Sequence, residues 1–319
     1  MLQILSQHSK QILPVSIENG IDANALWYDL INPEPAELKV IEQTLGIDLP
    51  SLAEMSEIEE SSRLYREEDV LYMAAILVAS ADSEVPTTVP TAFIVTPRSV
   101  VTVRYAELRA FQFFAKKVNK NNFITPQHLF LGLMDTIVER SADILEMNSA
   151  EIERISNDIF KGNHSSNPRE MKEILIHIGK TGSLNSKIRE SLETLDRLLI
   201  FYHNQLPEEG NDKKLLAFVE TVQQDIRLLV NYVSFLFSKI DFLLDATLGF
   251  IDIEQNGIIK FFSVAAVIFL PPMVIASIYG MNFTRIPELS WIWGYPFALV
   301  LMVLSAVLPY LYFKRRGWL

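Results

Sequence analysis

The sequence predicts an α+β domain whose chain continues into a long helical stalk and then into a two-helix transmembrane hairpin. Three observations predict it. Two segments near the end, residues 257–278 (GIIKFFSVAAVIFLPPMVIASI) and 291–313 (WIWGYPFALVLMVLSAVLPYLYF), hold one charge between them, Lys260. At 1.5 Å per residue, about 20 apolar residues cross a hydrocarbon core about 30 Å thick, and both segments reach that length. Ahead of them, residues 211–270 contain no proline, and apolar side chains recur there at helical spacing. The first 120 residues instead mix short β-branched or aromatic runs with helix-start signals.

In chain order, residues 11–17 and 26–30 read as short strands. Asn32-Pro33-Glu34-Pro35 breaks the chain and opens a helix over 35–45, with proline in its first turn. A short helix follows Pro50 through Leu52, Met55 and Ile58. Residues 70–79 (VLYMAAILVA) suit a buried strand. Residues 89–95 and 100–105, on either side of Thr96-Pro97-Arg98-Ser99, suit a hairpin, and 107–118 returns to helix. Strand order is not legible. These elements make a domain of residues 1–124.

From Thr125-Pro126 the pattern is helical to about residue 160, broken at 161–168, and helical again over 169–206 before Pro207-Glu208-Glu209-Gly210. Residues 125–210 therefore read as an antiparallel helical pair. The stalk, 211–256, repeats Leu215, Val219, Val222, Ile226, Leu229, Val233, Leu236, Ile240 and Leu243. It runs without a break into the first span (257–278), then an outer loop (279–290), the second span (291–313) and a basic tail (314–319). One helix capped by Asn211 or Asp212 and running to Ile278 is about 100 Å long, and an exposed helix of that length needs neighbours.

The 319 residues carry a net charge of −11. The part after Asn256 holds Lys260, Arg285, Lys314, Arg315 and Arg316 against Glu288, a net +4, which leaves −15 on the remainder. An acidic body argues against nucleic acid as a partner and suits attraction of cations. MLQILSQHSK lacks the basic start and apolar run of a signal peptide. Lys314, Arg315 and Arg316 follow the second span directly, so the positive-inside rule puts both termini in the cytoplasm. The sequence has no cysteine, and its five histidines (His8, His128, His164, His177, His203) show no ligand spacing. No phosphate-cradling glycine loop is present, and nothing pairs a nucleophile with a base; the protein reads as no enzyme.

Asp245, Gly249, Asp252, Asn256, Ile259, Phe262, Ala266, Leu270, Met273 and Ser277 follow one another in steps of three or four, so they share a helix face. Going outward, that face is acidic, then amide, then mainly apolar. In a ring of copies each residue becomes a collar: Asp245 and Asp252 gather cations, Asn256 offers amides, and Ile259 and Phe262 form a constriction that can gate by dewetting. The plainer reading is ordinary helix packing. Gly280-Met281-Asn282 is by itself compatible with a simple helix-ending turn. Pro271-Pro272 removes two backbone donors inside the first span and is expected to bend it. Trp291, Trp293 and Tyr295 suit an interfacial aromatic belt.

YGMNF at 279–283, followed by Pro287-Glu288-Leu289, Gly294-Tyr295-Pro296 and the terminal YLYFKRRGWL, resembles the CorA family of magnesium channels, as does IEQN at 253–256. The resemblance implies a homopentameric funnel in the bacterial inner membrane, with the stalk helix lining the pore. It implies selectivity at Gly280, Met281 and Asn282, whose neutral oxygens meet a hydrated Mg2+; that ion gives up its water slowly. It further implies cation attraction at Glu288 in the outer loop and a basic collar of Lys314, Arg315 and Arg316. Mg2+ is then both the transported ion and a regulator that closes the pore from inside, with Co2+ or Ni2+ as alternative substrates. Asp82, Glu84, Glu220 and Asp225 are the candidate regulatory acids. Counting back from GMN, the expected stalk acid falls on Thr221, which is not an acid. Two alternatives stand beside this: a related transporter of zinc, cobalt or nickel, and a membrane-anchored sensor or scaffold.

Overall fold

The computed structural model describes residues 1–6, 12–15, 20–57, 59–83, 85–118, 125–161, 168–206, 213–282, 287 and 291–316. Seven strands, β1 (Leu2–Ser6), β2 (Ile12–Val15), β3 (Ala25–Ile31), β4 (Leu64–Glu67), β5 (Val70–Ala79), β6 (Thr87–Val95) and β7 (Val100–Arg104), form one sheet in the order β2-β1-β3-β7-β6-β5-β4. Among the described residues only β3 and β7 pair in parallel, from Trp27 opposite Val100 to Ile31 opposite Arg104. The expected hairpin is β6–β7, with Val95 opposite Val100 and Thr96 closing the turn by accepting from the backbone amide of Ser99.

Alternation along the central strands divides the sheet into two apolar faces. Tyr28, Leu30, Ala92, Ile94, Val101 and Val103 pack on one side with Ile41 of α1 (Pro35–Leu45) and Met55 of α2 (Leu52–Met55). Helix α1 starts where the Pro35 reading expects and stops at Gly46, whose φ of 67° supplies the left-handed cap. A one-turn helix, α3 (Glu60–Arg63), leads into β4. On the other side, Trp27 and Phe93 meet α4 (Arg109–Val118): Trp27 lies 5.4 Å from Phe114 and 6.3 Å from Phe111 between ring centroids. Phe93 also stands edge-on to Phe130, 6.1 Å away, in α5 (Pro126–Lys161).

Two long helices follow, α6 (Pro168–Gln205) and α7 (Lys213–Tyr279), and the last is α8 (Gly294–Arg315). Helix α6 buries Ile174, Ile178, Thr181, Asn185, Ile188, Leu192, Leu195, Leu199 and Tyr202. Helix α7 buries Leu215, Val219, Val222, Ile226, Val233, Leu236, Ile240 and Leu243. Both rows advance in alternating steps of three and four, apart from the half-buried Leu229, which is the heptad spacing of a coiled-coil seam. Cross-helix bonds fix the arrangement. Asn148 of α5 donates to the Thr181 carbonyl of α6, Asn185 of α6 donates to the Val233 carbonyl of α7, and Tyr232 of α7 donates to Ser149 of α5.

The chain divides into two compact units, residues 1–163 with 173–244, and residues 245–319 with 164–172. Helix α7 is one uninterrupted element, and Pro271 and Pro272 sit inside it without ending it. In the second unit, the α7 segment and α8 are both long and apolar enough to cross a membrane. Helix α8 begins at Gly294, three residues later than the apolar count from Trp291 suggests.

Candidate ion path and regulatory acids

Lipid-length apolar helices that bury little of their own surface need an apolar surround, and α7 shows which of its faces is already covered. Val264 is buried, and Ala265, Ile268, Pro271, Pro272, Ile275 and Tyr279 are half-covered. Ile259, Phe262, Ala266, Leu270, Met273 and Ser277 are all exposed. At 100° per residue the two sets lie roughly 160° apart around the helix. The stripe marked out by spacing thus lies within the broad surface that its own chain leaves bare, which also carries Ile258, Phe261, Phe269, Val274 and Ile278. Asp245, Asp252 and Asn256 continue it and are exposed as well; Gly249 between them is half-covered. Helix α8 carries its own covered edge of small residues, with Gly294 and Ala298 buried.

The GMN turn is built from the end of α7. The Gly280 amide donates to the Ala276 carbonyl at 2.9 Å and the Met281 amide to that of Ile278 at 3.3 Å. A Cβ at Gly280 would stand 3.2 Å from the Ala276 oxygen, a backbone atom that cannot swing aside. A side chain there would be a tight fit against the end of its own helix, and Gly280 has no left-handed φ. Met281 and Asn282 are exposed at the helix end. Glu288 lies outside the described residues. Lys314 and Arg315 occupy the last turn of α8 and Arg316 its C-cap, where cations meet the negative end of the helix dipole. Lys314 rests over the Tyr310 ring and Arg316 over Tyr312, at 5.8 and 5.7 Å.

The candidate regulatory acids fare differently. Asp82, in the turn after β5, lies 2.5 Å from Nη1 of Arg109 and 3.8 Å from Nη2 of Arg140, at the edge of a cavity of about 440 Å³. Glu84 lies outside the described residues. Glu220 and Asp225 are exposed on α7. Asp225 belongs to an acidic neighbourhood with Asp135 and Glu139 of α5. Burial, the Glu139 charge and the Asp225 charge push the Asp135 carboxyl above its ordinary range, opposed by Lys117. Thr221 turns its hydroxyl back on its own helix, donating to the Ala217 carbonyl at 2.9 Å. Among the described residues, no three His, Cys, Asp or Glu side chains converge as a metal cage within one chain. Spacing alone missed Arg109 and Arg140, whose shared partner Asp82 is remote in sequence, and Asp135, whose burial no local pattern shows.

A polar domain followed by two helices long and apolar enough to cross a membrane fits an integral membrane protein. The CorA-like Mg2+ transporter protein family model matches residues 22–315. The magnesium transport protein CorA of Haemophilus ducreyi is 34% identical over 306 residues, covering 95% of each chain. That of Escherichia coli K12 is 34% identical over 322 aligned residues, covering all of both. The complete structure of the CorA magnesium transporter from Methanocaldococcus jannaschii superposes with a TM-score of 0.78 at 20% identity, covering all of this chain and 98% of that one. The chain belongs to the CorA family of magnesium transporters.

Proposed function

We propose that the protein is a channel that lets Mg2+ into the cell down the membrane potential and is closed by Mg2+ from inside. The carrying observation is the bare face of α7. One helix presents Asp245, Asp252 and Asn256, then Ile259, Phe262, Ala266, Leu270, Met273 and Ser277, and ends at Gly280-Met281-Asn282, while its opposite side is partly covered. In this reading residues 1–124, 125–210 and 211–256 are the cytoplasmic α/β domain, helical pair and stalk. Residues 257–319 are a membrane hairpin with YGMNF outside and both termini in the cytoplasm.

Five copies close the bare faces around one axis. The Asn282 amide oxygens and Gly280 carbonyls then accept hydrogen bonds from water held by Mg2+, selecting the hydrated ion without stripping it. Ile259 and Phe262 form the apolar constriction, the Asp245 and Asp252 collars concentrate cations at the inner end, and Glu288 does so outside. Lys314, Arg315 and Arg316 surround the inner mouth at the headgroup level. In this reading the regulatory ion sits between copies. Asp225 with Asp135 and Glu139 supplies one side; Asp82 must leave its arginines to take part, and Glu84 and Glu220 are the remaining acids. Co2+ and Ni2+ are the expected alternative substrates.

The test is uptake of Mg2+ by proteoliposomes loaded with a Mg2+-sensitive dye under a potassium diffusion potential, with cross-linking to count subunits. Uptake that grows with inside-negative potential and falls when Mg2+ is preloaded, from a five-fold cross-linked species, supports the reading. Absence of uptake from correctly oriented protein contradicts it.

A further inference from the structure

The turn after β5, the start of α4 and the middle of α5 enclose the cavity of about 440 Å³ that Asp82 borders, and Ser191 of α6 also lines it. One part of its lining is apolar, made by Leu77, Ala79, Leu108, Ala110, Ile137 and Ile144. Asp82, Arg109 and Arg140 bring their charges to it. Glu107 lines it as well, but its carboxylate accepts from Arg104 and Gln112, each at 3.4 Å. Small-molecule sites have this make-up: about 300–1,000 Å³, largely apolar walls and a few convergent polar groups.

Arg140 is the informative member. Its side chain is only 14% exposed, yet the carboxylates beside it stand off, Asp143 at 3.6 Å and Asp82 at 3.8 Å. A guanidinium makes charge-assisted hydrogen bonds to carboxylate or phosphate at about 2.7–2.9 Å, often as a two-pronged fork. Neither carboxylate reaches that distance. Asp82 gives its close contact to Arg109 instead, at 2.5 Å. One carboxylate is therefore shared between two guanidiniums, and the more buried guanidinium has the longer contact. A charge so far out of water calls for oxygen at bonding distance. Asp82 is 36% exposed, so a solute can reach its place between the arginines.

We propose that this cavity binds a small organic oxyanion, a phosphate or carboxylate on a compact apolar body. Its oxygens replace those of Asp82 between Arg109 and Arg140, and its body lies against the apolar wall. Among the described residues the lining holds no aromatic ring on which a nucleotide base would stack, so the body is aliphatic. The protein as a whole is acidic, so the two arginines and the apolar wall, rather than net charge, carry the affinity. Asp82 is the resident competitor. The site stands apart from the channel reading, and its occupation needs no Mg2+.

The experiment is isothermal titration calorimetry of the full-length protein in detergent, in Mg2+-free Tris chloride at fixed ionic strength. The probes are monobutyl phosphate and pentanoate, one for each oxyanion, with inorganic phosphate as the anion that lacks a body. Wild type should bind at least one organic probe saturably, and the tighter of the two identifies the oxyanion. Inorganic phosphate should bind more weakly. Arg140→Gln should weaken binding of the tighter probe about tenfold or more, the usual effect of losing a hydrogen bond to a charged group. Arg109→Gln changes an exposed side chain, should weaken binding several-fold, and decides the matter if the Arg140 variant does not assemble. Asp82→Asn should tighten binding several-fold, because the resident competitor loses its charge. No saturable binding of either organic probe overturns the proposal. So does binding that the arginine variants leave unchanged, binding that Asp82→Asn weakens, or inorganic phosphate bound as tightly as the organic probe. Failure of the channel reading appears separately, as absent Mg2+ uptake in wild type.

Discussion

The Asp82 carboxylate is held between two guanidiniums, with Oδ2 2.5 Å from Arg109 and Oδ1 3.8 Å from Arg140. Arg140 is largely buried, so this neutralisation is less screened than an exposed pair. A divalent ion that uses Asp82 must compete with both. Arg109→Gln is therefore expected to lower the internal Mg2+ concentration that halves uptake by several-fold, on the order of 1 kcal/mol of lost competition for an exposed partner. An unchanged half-inhibition in dye-loaded proteoliposomes would remove Asp82 from the regulatory site.

Beneath α4 lies a buried ion pair. Arg104 donates to both oxygens of Asp29, at 2.9 and 3.2 Å, and both side chains are 2% exposed. Thr102 donates to the same carboxylate at 2.7 Å and accepts from the Trp27 indole at 3.0 Å; the Arg104 guanidinium lies over Phe111. Removing the cation strands a carboxylate in an apolar layer. Arg104→Leu should destabilise the protein by about 3–5 kcal/mol. Replacing the whole pair, Asp29→Leu with Arg104→Leu, should cost much less. Denaturant unfolding of the two variants checks the difference.

Much of this was legible in the sequence, and the failures have physical causes. Helix α1 follows from Pro35 and Gly46, β5 from its unbroken β-branched run, and the length of α7 from the absence of proline before Pro271. Pro271 and Pro272 do not end the helix, because two missing donors are tolerable where neighbouring turns compensate. Strand β1 carries little local signal, because LQILS does not alternate cleanly. The α3–β4 segment was missed because Leu64–Glu67 is half charged and its pairing with β5 is set by the following turn. The β3–β7 parallel pairing joins residues about seventy apart, which no local pattern encodes. Asn185 had a visible signal, an amide in a heptad row. The Asp82 pairs with Arg109 and Arg140 had none.

Asp135 gives a pH test. Burial and the charges of Glu139 and Asp225 raise its folded pKa above the unfolded value, so the folded state favours the protonated acid. Its stabilising share is complete below the ordinary carboxylate range near pH 4 and is lost as pH rises through the raised value. Asp135→Asn should therefore stabilise the protein at pH 7 and leave it unchanged near pH 4, measured as the shift in thermal unfolding midpoint. The wild type should recover part of the same gain at pH 7 when Mg2+ is added, if Asp135 and Asp225 face the bound ion.

The central claim is that Asn282 at the end of α7 selects the hydrated ion. The most direct measurement is Mg2+ influx into dye-loaded proteoliposomes, wild type against Asn282→Ala, with oligomer size followed by gel filtration. Asn282 is exposed and lies beyond the helix, so the substitution should leave folding intact. The expected result is rapid influx for the wild type and its loss in the variant, with the two oligomers the same size. Wild-type influx retained by Asn282→Ala would contradict a filter at the GMN turn.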